Sequence, residues 1–306
     1  MFRSEDERVL RVPALLFSVL FLIFILFWFP RQFTDPNETT AAIAVLLVSN
    51  YFIGWADCLS EQPFSEYFKW LAFASLLWSY RNPRKKTPLV CLAVTCLGAA
   101  LTTPYPVVSL AVLSVGMAWA HRTGYVVPQL WIPLASMTIG VAIHASLGIL
   151  HVGGVAPWWA DIVDSLHRRT VGNARSESTI GLHSIGRWLL EWLNRPERYF
   201  MLSTTTLVLA TWAYFKRWKA DPLRLRVTAA VIASTFSWSL IFPQHFLTHH
   251  FMARDVGLWA GWVGGSGLLA LWRSSRAGAK VGKKALGILL VVYTLAILVS
   301  QFVQLF

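Results

Sequence analysis

The 306 residues are 56% hydrophobic and only 14% charged, and runs such as "VPALLFSVLFLIFILFWF" and "ALGILLVVYTLAILVSQFVQLF" approach or reach bilayer-spanning length. This composition excludes the ordinary soluble globular class and predicts an integral membrane protein, in the plasma (inner) membrane and in contact with membrane lipids. The net charge of +12 reads as an orientation signal and calls for no nucleic acid.

In chain order, the hydropathy predicts spans near 12–29, 41–58, 65–80, 88–103, 105–120, 129–150, 199–215, 227–243, 255–272 and 285–305. Most have the length of a crossing or slightly short helix, roughly 16 to 22 residues. The expected fold is all-α, a polytopic transmembrane helical bundle of nine or ten spans forming one domain over 1–306. The first apolar run follows "MFRSEDERVLR" and has no small-residue cleavage pattern behind it, so it reads as a retained helix. Cys91 and Cys96 share one apolar stretch, and with Cys58 they read as small core residues, not as a disulfide framework.

Four basic segments, "RNPRKK", "HRTG", "KRWKADPLRLR" and "RSSRAGAKVGKK", alternate correctly with the spans and are expected in the cytoplasm. Placing "RNPRKK" there leaves two arrangements. Either there are ten spans with the N-terminus outside, or residues 41–58 lie along or dip into the outer face and nine spans remain with the N-terminus inside; the second is slightly preferred. The outer side would then receive "RQFTDPNETT", "SEQPFSE", "TTPYP", residues 151–198 and "FPQHFLTHHFMARDVG". Its basic residues are all arginine, the side chain suited to bidentate phosphate or carboxylate contacts.

Residues 151–198 are too polar to span but are patterned as amphipathic helix. Ile180, Ile185, Trp188, Leu189, Trp192 and Leu193 form an apolar stripe, and His183, Arg187, Glu191 and Arg195 follow at four-residue spacing on another face. A helix capped by Ser178 or Thr179 and ended by "NRP" is expected to lie at the membrane surface. It reads either as an anchor with solvated arginines or as a wall over an acidic lipid-linked substrate. In "FPQHFLTHHFMARDVG", His245 and His249 are one turn apart, as are His250 and Arg254. The pattern lacks the intervening glutamate of a metalloprotease helix, so no metal and no other cofactor is expected. These histidines either end a span or, with Gln244 and Arg254, contact a phosphate or sugar.

Two stretches resemble the polytopic GT-C class of glycosyltransferases, which take a sugar from a polyprenyl-phosphate-linked donor. The first, residues 60–119, runs from a polar-Pro-Phe entry through a span, a basic turn and a Gly-containing span to "LTTPYP" and a further span. The second is "FPQHFLTHHFMARDVGLWAGW", residues 242–262. The resemblance covers about a quarter of the chain. It implies an outer-face cavity and a membrane glycosyltransferase of the cell envelope that passes a polyprenyl-phosphate-linked sugar to an acceptor. It also implies an acidic base in the first outer loop, for which Asp35 and Asp57 are the candidates. The substrate contacts implied are Gln244, His245, His249, Arg254, Arg187 and Tyr105. The chain departs from the class in its short first outer loop, which leaves a reduced, partial or noncatalytic relative open. A noncatalytic membrane subunit or scaffold is the alternative function. A transporter or flippase fits less well, because the spans carry almost no charge besides Lys69 and no internal repeat appears.

Overall fold

The computed structural model of the chain describes residues 16–21, 23–24, 35–47, 61–103, 105–121, 126–170, 182–200, 204–248 and 256–276. The protein is all-α, with no strand among the described residues. The helices are α1 Pro36–Leu47, α2 Glu61–Arg81, α3 Lys86–Thr102, α4 Tyr105–His121, α5 Val126–Val152 and α6 Val155–Thr170. They continue with α7 Leu182–Phe200, α8 Thr204–Trp218, α9 Pro222–Ile241, α10 Pro243–Thr248, a π-helical stretch Trp259–Gly264, and α11 Gly265–Arg276.

Local chemistry sets several boundaries. Asp35 and Asp221 each precede a proline that opens a helix. Asp35 Oδ1 accepts the Asn37 backbone N–H at 2.9 Å and Asp221 Oδ1 that of Arg224 at 3.0 Å, which are N-cap bonds followed by proline at the first helical position. Gly153 takes a φ of 82° in the turn between α5 and α6, a conformation that a side chain would strain. The α7 helix continues through "NRP" to Phe200, contrary to the expected stop. Pro196 has no N–H to offer Trp192. The Thr204 hydroxyl supplies the donor instead, lying 3.1 Å from the Trp192 carbonyl and 2.7 Å from that of Leu193.

Small residues let the helices approach closely. A Cβ on Gly116 of α4 would lie 2.6 Å from the Ala230 methyl of α9, and one on Gly267 of α11 would run into the Ala210 backbone of α8. Such contacts are characteristic of helix pairs that pack by van der Waals fit. Serine and threonine on these faces bond to their own helices: Thr95 to Cys91, Ser114 to Leu110, Thr235 to Val231. Their hydroxyls are thereby satisfied without water. Cys91 and Cys96 are free thiols, and Cys96 is buried. One charged pair sits inside the packing, with Lys69 Nζ 2.7 Å from the carboxylate of Glu66 one turn earlier on α2.

One face of residues 41–46 packs into the interior. Ala42 and Leu46 are buried, and Gly265 of α11 abuts the backbone of Ala41 and Ala42. Of the segment expected along or dipping into an outer face, residues 48–58 lie outside the described residues. Among the described residues, Val127–Val152 is long and apolar enough to cross a membrane by length and composition, and Lys86–Thr102 and Tyr105–His121 are shorter apolar helices. Along α5, Trp131, Ile139, Leu147 and Leu150 are exposed.

Candidate functional site

The connected helix ends sort into two groups. At one end lie the α2–α3 turn, the C-terminus of α4, the α8–α9 turn and the C-terminus of α11. His121 stacks on Tyr80 with ring centroids 3.8 Å apart, and Arg81 and Arg224 are close enough to interact electrostatically. Asp35 and Glu38, three residues apart at the start of α1, join this end. Glu38 is fully buried and takes Arg217 Nε at 3.3 Å through Oε1 and an Arg224 Nη2 through Oε2. Arg224 Nε also donates to the Tyr214 hydroxyl at 2.8 Å, and its guanidinium lies 3.6 Å from the centroid of the Trp218 ring. Asp35 Oδ2 accepts from Arg273 Nη1 at 2.8 Å and lies 3.7 Å from Arg217 Nη2. The Arg273 hydrogen bond holds the Asp35 carboxyl below the usual aspartate range, against an opposing effect of burial. Beside this network is a cleft of about 370 Å³ lined by Trp212, Ala213, Lys216, Arg217, Ala270, Leu271, Arg273 and Ser274.

At the other end, α6 and α7 cover α10. Trp192 lies between Phe236 and Phe246, at centroid distances of 4.4 and 4.9 Å, and Trp188 Nε1 donates to the Ser239 carbonyl at 3.3 Å. Tyr105, at the start of α4, meets Trp238 edge-on at 5.0 Å. The expected apolar stripe of α7 is therefore divided. Trp188 and Trp192 turn toward protein, while Ile185, Leu189 and Leu193 are exposed. On α6, Trp159, Ile162, Val163 and Leu166 are exposed likewise.

The sequence candidates divide between these ends. Tyr105, Arg187 on the exposed side of α7, and the backbone of Gln244 and His245 in α10 belong to the end covered by α6 and α7. Asp35 belongs to the other. Arg224, in the network around Asp35, lies in the first turn of α9, and α10 follows its last turn; the 20 residues of α9 are about 30 Å of helix. Asp35 thus lies at the opposite end of α9 from the backbone of Gln244 and His245. A carboxylate held in its charged form by an arginine is also a weak proton acceptor. Asp57, His249 and Arg254 lie outside the described residues, as do the side chains of Gln244 and His245.

The sequence reads Arg217, Arg224 and Arg273 as orientation charges, and does not join them to Asp35 and the buried Glu38 in one network. One signal was available: "DPNE" is an N-cap, proline and N3 glutamate pattern, which starts a helix and puts Asp35 and Glu38 on neighbouring positions of its first turn. Comparison with known proteins brings no match to a family model, a curated protein or a solved structure.

Proposed function

We propose that this chain is a polytopic integral membrane protein whose end covered by α6 and α7 faces the extracytoplasmic side and transfers a sugar from a polyprenyl-phosphate donor to an acceptor. The observation that carries the reading is the convergence there of Tyr105, α7 and α10, the helix that opens the GT-C-like segment. The exposed apolar sides of α6 and α7 suit helices lying in a headgroup layer. With Asp35 grouped with the basic turns, ten spans and an outer N-terminus fit better than nine. Asp57 then remains as the candidate base. In this mechanism the Asp57 carboxylate takes the proton of the acceptor hydroxyl as that oxygen attacks the anomeric carbon. Arg254 and the neighbouring histidines stabilise the charge growing on the departing phosphate.

The test is transfer from a panel of polyprenyl-phosphate sugars by the purified full chain in lipid nanodiscs. Transfer by the wild-type chain, a loss of about 10²-fold or more in Asp57→Asn with the melting temperature unchanged, and retention of turnover in Asp35→Asn are expected. A folded wild-type protein that transfers no sugar, and whose histidine segment crosslinks to no donor analogue, would refute the reading. The alternative, a noncatalytic membrane subunit, is favoured by one observation: Asp35, a carboxylate that the resemblance marks for catalysis, is engaged in structural ion pairs.

A further inference from the structure

We propose that the cleft between the last turns of α8 and α11 binds a phosphate-ester anion. Arg217, Arg224 and Arg273 gather around two carboxylates, Asp35 and Glu38, and Lys216 lines the same cleft, so these six groups carry two positive charges in excess. A purely structural ion-pair network is better served by balance, because each unmatched charge repels its neighbours and costs solvation.

The excess is on the cleft side. Among the described residues the Lys216 ammonium faces no carboxylate; it lies 5.1 Å from the centroid of the Trp212 ring. Arg217 and Arg273 both line the cleft and both reach Asp35, engaging Nε and Nη2 of Arg217 and Nη1 of Arg273 with acids. A guanidinium carries five donors in a planar fork, so each can keep its carboxylate and present further N–H groups to an incoming oxygen. Ser274, next to Arg273 on α11, adds a hydroxyl to the lining. The rest of the lining, Trp212 and Ala213 on α8 and Ala270 and Leu271 on α11, is apolar and lies about one turn before the cations on the same two helices. The volume of about 370 Å³ lies at the lower end of the range of small-molecule sites.

An apolar level followed one turn on by three cations matches a molecule with a phosphate at one end and hydrocarbon or a sugar at the other. The end in question is the one with the basic turns, where a basic pocket between spans meets anionic lipid headgroups. Trp212 and Trp272, both about half exposed and each under a cation, mark that level on α8 and α11. The lipid headgroup as source rests on the membrane part of the reading above and is independent of sugar transfer; a soluble phosphate ester requires neither.

The test is native mass spectrometry of the full chain in detergent, titrated separately with phosphatidylglycerol, phosphatidylcholine and inorganic phosphate, with melting temperatures recorded alongside. The expected result is selective retention of phosphatidylglycerol, weakened about tenfold by Lys216→Gln, the effect of losing one charge-assisted contact. Arg276→Gln, which removes a cation stacked on Trp272 outside the cleft lining, should leave retention unchanged. If inorganic phosphate instead stabilises the lipid-free protein and displaces phosphatidylglycerol, and Lys216→Gln removes both effects, the site takes soluble phosphate esters. Equal retention of the two lipids, together with no difference between wild type and a folded Lys216→Gln toward any of the three probes, overturns the proposal. Sugar transfer is read separately, so either proposal fails without the other.

Discussion

At the Asp35 and Glu38 end, the closing contacts are carboxylates and guanidiniums drawn from four helices, whereas beneath α6 and α7 they are stacked rings from three, with Trp192 between Phe236 and Phe246. The two chemistries have different tolerances. A buried ion pair is satisfied in a narrow set of geometries and leaves an uncompensated charge when one member is lost. Aromatic rings hold through offset and tilted arrangements of similar energy, so a stacked end can shift without breaking. The ionic end thus sets the relation of α1 to α8, α9 and α11, and the aromatic end is the one built to adjust.

The sharpest way to break this contrast is to remove Glu38. Glu38→Ala leaves Arg217 and Arg224 facing each other and should cost about 3–5 kcal/mol, detected as a large drop in melting temperature in detergent. Trp192→Ala should cost less, about 2 kcal/mol, because lipid tails and neighbouring rings refill an apolar gap more readily than anything replaces a carboxylate. Its mark is local: faster hydrogen exchange in α10 with α1 unaffected. Equal global losses from the two substitutions would erase the distinction. Asp35→Asn should cost under about 1 kcal/mol, since asparagine retains the cap and the Arg273 pair is partly exposed.

Acid offers a graded version of the same test. The Asp35 value is depressed in the folded protein, so the stability it contributes is fully present above the ordinary aspartate pKa of about 3.9 and is lost as pH falls through the lower folded value. Melting temperatures taken from pH 7 downward should show no loss of the Asp35 contribution until below about pH 4. The Asp35→Asn variant should lack that acid component.

Hydropathy and the basic segments made most of the helices legible. Their periodic apolar runs delimit α2 through α5, α8 and α9 to within a few residues, because long uninterrupted segments dominate any local ambiguity. The side on which Asp35 falls was not legible. Its loop carries too few charges to vote, and its partners Arg217 and Arg273 are distant in sequence. Pro196 misled for a similar reason: its missing donor is replaced by Thr204, which no local pattern announces. The stripe on α7 was visible, but periodicity records that Trp192 and Leu193 are both apolar and not that one meets protein while the other is exposed. Of the candidate site, the grouping of Tyr105, Arg187 and α10 at one end followed from the order of the spans. The cleft beside Arg273 did not, because it is assembled from two separate basic segments that read individually as orientation signals.

The separation between Glu38 and its partners also fixes an order of events during synthesis. Glu38 bonds to Arg224, 186 residues later in the chain. At about 5–20 residues per second, α1 exists for roughly 10–40 s before that arginine is made. For that interval its acidic first turn has to be tolerated by lipid, water or a helper protein, and synthesis that ends before Arg224 leaves a chain in which Glu38 has lost that partner for good.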